Sequence, residues 1–403
     1  MFAIDDNQSS TAYQLLHLLL NADYEFCKFE GMTLLRSACT RRNCEELKIL
    51  YQNSEKLCID FNHQTSNYNI LYVACIEKNA DLIRMILNGA NHKSIDVNAQ
   101  IDYKSTPFLE VCELNFVEGV ELFLQHAQDL KIDLNAKVIS RKTFKETTPL
   151  QAAIRNGHFD IVKLLLNASK EKNINIGLNI FSIACEEGNL KMAEMILEHD
   201  EDYIFRQILE GLDRDLDGNV AFHYACKSGN LDLVQYLEAL GINLNVQNDR
   251  GRTPFHNACT YGHLDIVKHL VPLIDFNIPD NNGTTSFHFA CQSGNLQLVK
   301  YFVEELSVDL SAKNKFEQTP FFWLDNRKEI LSWKEFIEIL EIVEYFIEKS
   351  ESKNIDLISP SSKGNSFVWL FKDRVANYDL PKDILDRASK AIDDLLRGQS
   401  FQY

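Results

Sequence analysis

The segments Thr253-Pro254-Phe255-His256-Asn257-Ala258-Cys259 and Ser286-Phe287-His288-Phe289-Ala290-Cys291 carry one pattern, and each is followed by a glycine and an apolar run, Gly262-His263-Leu264 and Gly294-Asn295-Leu296. The pattern recurs at Ala221–Leu231 and Thr148–His158, with weaker copies at Thr33–Asn43, Asn69–Asn79, Thr106–Phe116, Asn179–Asn189 and Thr319–Leu324. Marking one place in each copy gives Ala38, Ala74, Val111, Ala153, Ala184, Ala225, Ala258, Ala290 and Leu324, spaced 36, 37, 42, 31, 41, 33, 32 and 34 residues apart. A period near 33 constrains the fold more than any other feature. A unit this short cannot bury its own apolar surface, so it must stack on its neighbours.

Within the unit, Thr253 is placed to cap a first helix and Pro254 to fill its first turn, where a missing N–H costs nothing. Gly262 ends that helix in a left-handed conformation, and Gly157, Gly188, Gly229 and Gly294 fill the same slot. A second helix follows, with the apolar spacing of Leu264, Ile266, Val267 and Leu270 marking its buried face. Between units lie turn-rich segments, Asp60-Phe61-Asn62, Asp96-Val97-Asn98, Asp133-Leu134-Asn135, Asn243-Leu244-Asn245 and Asp275-Phe276-Asn277, which read as hairpin fingers projecting between the helix pairs.

The phrase T-P-L-H-x-A followed by G-H resembles the ankyrin repeat. The resemblance implies an all-α ankyrin-repeat solenoid of helix-turn-helix units with projecting hairpin fingers, about nine copies over residues 31–325. Residues 1–30 are expected to form N-terminal capping helices, and 326–403 a degenerate repeat and C-terminal cap. Ile330–Ile347 is predicted as one long amphipathic helix, and the last repeat falls at 355–398. The first three copies lack the histidine, so 215–305 is the regular block and the most stable part.

Lys and Arg number 41 against 58 Asp and Glu, a net charge of −17. Such a surface repels phosphate backbones and anionic lipid, so no nucleic acid or membrane partner is expected. The first residues lack a basic export signal and no apolar run is long enough to span a bilayer, which points to the cytoplasm or nucleus. No nucleotide-binding, zinc-protease, hydrolase-elbow or kinase motif occurs, so neither an enzyme nor a cofactor is expected.

Seven of the ten cysteines, Cys39, Cys75, Cys112, Cys185, Cys226, Cys259 and Cys291, follow the marker residue directly. That regularity reads as small-residue packing rather than metal or redox chemistry. The resemblance implies that His223, His256 and His288 tie each helix start to the neighbouring finger. Asp213-x-Asp215-x-Asp217-Gly218 imitates the opening of a calcium loop, but the required twelfth-position Glu is Tyr224. The basic island 137–145 is either a solvated loop or a contact for an acidic partner, and the acidic stretch 198–217 either a solvated loop or a contact for a basic one.

Ankyrin stacks bind through a concave groove of finger tips and first helices. Carried over by position, that groove comprises Tyr224, Asn257 and Phe289, with Lys227, Tyr261 and Gln292 beside them and Asp249, Arg250, Arg252, Asn281 and Asn282 at the fingers. Tyr224 and Phe289 are either exposed anchors or half-buried packing residues. The expected function is a non-catalytic, monomeric scaffold or adaptor for partner proteins. The alternatives are a ubiquitin-ligase recognition subunit, faintly suggested by Leu380-Pro381-Lys382-Asp383-Ile384-Leu385, or an effector with unrecognised enzymatic activity.

Overall fold

A computed structural model describes residues 24–57, 59, 61, 69–90, 93, 95–100, 105–139, 146–172, 179–199, 206, 208, 210–306, 308–325, 333–353, 360–362, 366–377 and 381–398. They fall into two compact units, 1–180 and 181–403. In the first, α1 (Tyr24–Arg41) pairs with α2 (Cys44–Gln52), α3 (Ile70–Ile76) with α4 (Ala80–Gly89), α5 (Pro107–Glu113) with α6 (Val117–His126), and α7 (Pro149–Arg155) with α8 (Phe159–Lys172). The only sheet among the described residues joins β1 (Val138–Ile139) to β2 (Glu146–Thr147) in one antiparallel finger.

The second unit opens within α9 (Ile180–Glu186), whose first residue ends the first unit, and continues with α10 (Leu190–His199). The regular pairs follow: α11 (Ala221–Ser228) with α12 (Leu231–Ala239), α13 (Pro254–Thr260) with α14 (Leu264–Leu270), and α15 (Ser286–Ser293) with α16 (Leu296–Glu304). A 3-10 turn at Phe321–Asp325 stands where the next first helix was expected; α17 (Trp333–Lys353), α18 (Phe367–Asn377) and α19 (Lys382–Gly398) complete the unit. Each unit is thus an all-α stack of helix pairs. Helix α1 crosses residue 30, the expected edge of the N-terminal cap, so Thr33 lies within a helix; residues 1–23 of that cap lie outside the described residues.

First helices start where a side chain accepts the orphan N–H groups. Asn69 Oδ1 accepts from the Tyr72 N–H at 2.7 Å, and Thr148 and Gln151 cap each other reciprocally at 3.3 and 3.1 Å. In the regular block the histidine supplies this acceptor. The N–H groups of Val220, Thr253 and Thr285 donate to Nδ1 of His223, His256 and His288 at 3.2, 2.9 and 3.2 Å.

The C-terminal segment is held by aromatic packing. Ring contacts run from Phe255 to Phe302, Phe287, Phe346, Phe321, Phe367 and Phe371, with centroid separations of 4.3 to 6.4 Å. This spine continues the core of the regular repeats into α17 and α18.

Between the helices of a pair the chain turns through positive φ. Glycine does this at 157, 188, 229, 262 and 294, but Arg42, Lys78 and Asn115 adopt φ of 55°, 52° and 55° in the same slot. A Cβ makes that conformation costly, by about 1 kcal/mol or more for Lys. Lys78 is exposed. Replacing Lys78 with Gly is therefore expected to stabilise the first unit by about 0.5–1 kcal/mol, after the glycine's larger unfolded-state entropy. An unchanged or lower urea midpoint would show that the turn is not strained.

Candidate protein-binding surface

Asp215, Asn248, Asp280 and Asn314 occupy one place in four successive fingers. Each accepts two backbone N–H groups, from residues two and four positions on, at 2.8 to 3.1 Å. The reversal is completed at positive φ by Gly218, Gly251, Gly283 and, in the fourth finger, Glu317. The Asp-x-Asn segments at 96–98, 133–135, 243–245 and 275–277, expected to be the fingers, instead form separate turns where the chain leaves the second helix, as when Asp275 accepts from the Asn277 N–H at 3.0 Å; Asp60 and Asn62 lie outside the described residues. The fingers lie a few residues further on.

Neighbouring fingers are bonded backbone to backbone. The N–H groups of Asp249, Asn281, Lys315 and Ser362 donate to the carbonyls of Asp217, Arg250, Asn282 and Phe316 at 3.0, 2.9, 2.8 and 2.9 Å. The close approach excludes side chains: a Cβ on Gly251 would meet Asn281 N at 2.7 Å. Two of the three histidines tie the same layers together, with Nε2 of His223 and His288 2.9 and 3.0 Å from the carbonyls of Arg252 and Gln318, whereas the buried Nε2 of His256 makes no such bond, so the expected tie to the next finger is not formed there. Since Nδ1 accepts from the helix start, Nε2 carries the proton, and in His223 and His288 it donates. Burial pushes the pKa of His223, His256 and His288 down to about 4, so all three are neutral at pH 7.

On this frame the expected site residues separate into groups. Asp249, Arg250, Asn281 and Asn282 are exposed on the fingers, and Arg250 pairs with Asp217 at 3.1 Å. Tyr224, Asn257, Lys227 and Gln292 are half-buried, while Tyr261 is 53% exposed. Asn257 Nδ2 donates to the His223 carbonyl at 3.0 Å.

Phe289 is 1% exposed. It packs against the rings of His256 and Trp323, both with centroids 5.2 Å away, and the Arg252 guanidinium covers it at 4.6 Å. Of the two expectations for Phe289, packing describes its position, because the next repeat supplies Trp323 to close over the ring. Arg252 is in turn held by the buried carboxylate of Asp280 at 3.5 Å.

Tyr224 and Lys227 share α11, and the next repeat brings Tyr261 beside them. Lys227 Nζ sits 5.8 Å from the centre of each tyrosine ring and 3.0 Å from Glu186 Oε1. Glu186 was not among the expected site residues. It follows Ala184 by two residues, as Lys227 follows Ala225, and that shared register was the available signal.

The acidic motif at 213–217 has structural work. Asp213, 5% exposed, accepts from the Ala221 N–H at 2.7 Å and the Ser182 hydroxyl at 3.1 Å, and burial raises its pKa. Asp215 folds its finger and takes the Tyr224 hydroxyl. Burial pushes its pKa up, but the hydrogen bonds from Tyr224 and Asn219 outweigh this and hold its carboxyl below the usual range. Among the described residues no cluster of His, Cys, Asp or Glu has the arrangement of a metal site.

The seven marker cysteines are buried free thiols, and desolvation pushes their pKa values up, to about 12 at Cys39. Such thiols are packing groups, not nucleophiles. In the basic island, residues 140–145 lie outside the described residues, as do 200–205 of the acidic stretch and Leu380. Pro381 to Leu385 leads into α19, where Ile384 is buried. No described helix is long and apolar enough to cross a membrane.

Successive helix pairs joined by hydrogen-bonded, histidine-tied fingers define a helical-repeat protein. The chain belongs to the ankyrin repeat family: the family's model, described as ankyrin repeats, matches three times, over residues 91–176, 171–248 and 222–314. An ankyrin repeat and KH domain-containing protein of Caenorhabditis elegans is 30% identical over 158 residues, which cover 33% of this chain and 6% of that protein. An ankyrin repeat protein of Acanthamoeba polyphaga mimivirus is 35% identical over 94 residues, 23% of this chain and 13% of that protein. The chain therefore spans a small part of either relative. Ankyrin repeats are in general protein–protein interaction modules.

Proposed function

We propose that the chain is a non-catalytic scaffold or adaptor that holds partner proteins against the fingers and first helices of residues 215–325. One observation carries this reading: the finger backbone is cross-bonded from repeat to repeat, while Asp249, Arg250, Tyr261, Asn281 and Asn282 stand exposed on that frame. A rigid frame with exposed aromatic, Arg and amide groups lowers the ordering cost of binding. The proposal extends to a monomer acting in the cytoplasm or nucleus, with protein rather than nucleic acid as partner.

The test is affinity capture from the source cells with the full chain and with a Tyr261→Glu, Arg250→Glu variant. Both positions are exposed, so circular dichroism should show two folded proteins. Proteins held by the wild type and lost by the variant are the expected result. Identical capture by both would overturn the groove assignment, and a cullin or elongin in the captured set would instead indicate the ubiquitin-ligase role.

A further inference from the structure

Lys227 fills a small cage. Its ammonium lies between the rings of Tyr224 and Tyr261, 5.8 Å from each centre, and pairs with Glu186 at 3.0 Å. The arrangement is open to solvent: the Lys227 and Glu186 side chains are 33% and 24% exposed, and Tyr261 is 53% exposed. Two tyrosine faces and a carboxylate are the groups that attract a primary ammonium.

The walls do not depend on Lys227's own ammonium. Tyr261 stacks on His263 at 6.2 Å with the rings 10° from parallel, and Nε2 of that histidine is 2.9 Å from the Lys227 backbone carbonyl. The Tyr224 hydroxyl is fixed by Asp215, whose other oxygen is held by its own finger. The cage therefore persists if its ammonium leaves. Charge favours a cationic visitor as well, since the chain carries a net −17, with Asp215, Asp217 and Glu187 on the same run of repeats.

We infer that this cage is a recognition site for a lysine side chain of a basic partner segment, and that Lys227 occupies it as an internal competitor. The partner's ammonium takes the place between Tyr224 and Tyr261 against Glu186, and Lys227 swings to solvent. The inference rests on the groove reading above and names the chemistry of what the groove accepts.

The probe is a fluorescein-labelled tetralysine peptide, titrated into the full chain at low salt and followed by anisotropy. An exposed cation–π contact and a half-exposed ion pair together hold Lys227 with a modest free energy, so Lys227→Ala is expected to bind tetralysine about fivefold more tightly than wild type. Lys315→Ala removes the same charge from a finger tip and is expected to change binding less than about twofold. Adding Tyr261→Ala to Lys227→Ala should abolish the gain, and adding Glu186→Gln should reduce it.

Equal tightening by Lys227→Ala and Lys315→Ala would reduce the effect to net charge and overturn the cage. So would a gain that survives Tyr261→Ala. Because tetralysine needs no cellular partner, failure here leaves the capture experiment to judge the groove; failure of capture with a positive titration would leave a cage without the wider docking surface.

Discussion

Alanine at Asp213 is expected to destabilise the second unit by about 1–3 kcal/mol, and Val220→Thr with Ala221→Pro is expected to remove most of that cost. Four first segments begin Thr-Pro, at Thr106, Thr148, Thr253 and Thr319, where the proline leaves no first N–H to satisfy. Helix α11 begins Val220-Ala221 instead, with a residue that cannot cap and an alanine whose N–H needs an acceptor. Asp213 provides it at 2.7 Å, from a place that Val246 fills one repeat later.

Truncation orphans the Ala221 N–H and the Ser182 hydroxyl. Asp213 and Val220 also line a cavity of about 170 Å³, through which water can reach the freed groups, and this sets the lower end of the range. Asp213→Asn keeps an acceptor without a buried charge and should be near neutral. Val220 already has extended backbone, φ −104° and ψ 169°, as a residue before proline requires. A double-mutant cycle in urea measures the coupling; additive costs would mean that Asp213 is not the substitute cap.

This compensation shows which parts of the molecule were legible in sequence. Thr253-Pro254 and Gly262 announce a helix start and a helix stop by residue type alone, and repetition fixes their register. The left-handed turns at Arg42 and Lys78 carry no such sign, since the stack imposes their backbone against side-chain preference, whereas Asn115 is a residue type that tolerates that conformation. Asp213 read as one of a run of carboxylates because its partner, the Ala221 N–H, is a backbone group that no sequence displays.

The groove was legible as a set of positions but not as a set of exposures. Asn257 and Phe289 occupy equivalent places, yet only Phe289 has a Trp323 to close over it, so one is half-buried and the other buried. Lys227 and Tyr261 were both expected at the groove. Their meeting with Glu186 depends on the spacing of three successive first helices, which follows from the repeat register only once the stack is built.

Acid is expected to unfold the second unit through its three capping histidines, and His→Gln at 223, 256 and 288 together is expected to flatten that response. Each histidine is fully buried and neutral, with its pKa lowered from 6.5 to about 4. Unfolded chains bind these protons below pH 6.5 and the folded unit does not, so stability is complete above about pH 6.5 and is lost as pH falls towards 4. At 1.36 kcal/mol per unit, each site withdraws on the order of 3 kcal/mol over that window. Glutamine is the suitable replacement because Gln151 already accepts the Thr148 N–H at 3.1 Å in the same capping role. The variant loses the Nε2 bonds to the Arg252 and Gln318 carbonyls, about 1 kcal/mol each, and should be the weaker protein at pH 7. Below pH 4 the depressed carboxyl of Asp215 adds its own loss in both proteins, which confines the comparison to pH 4–6.5. Urea midpoints across that range are the measurement: a steep fall in the wild type and a shallow one in the variant is the expected result. Equal slopes would mean that the histidines take up protons without breaking their caps.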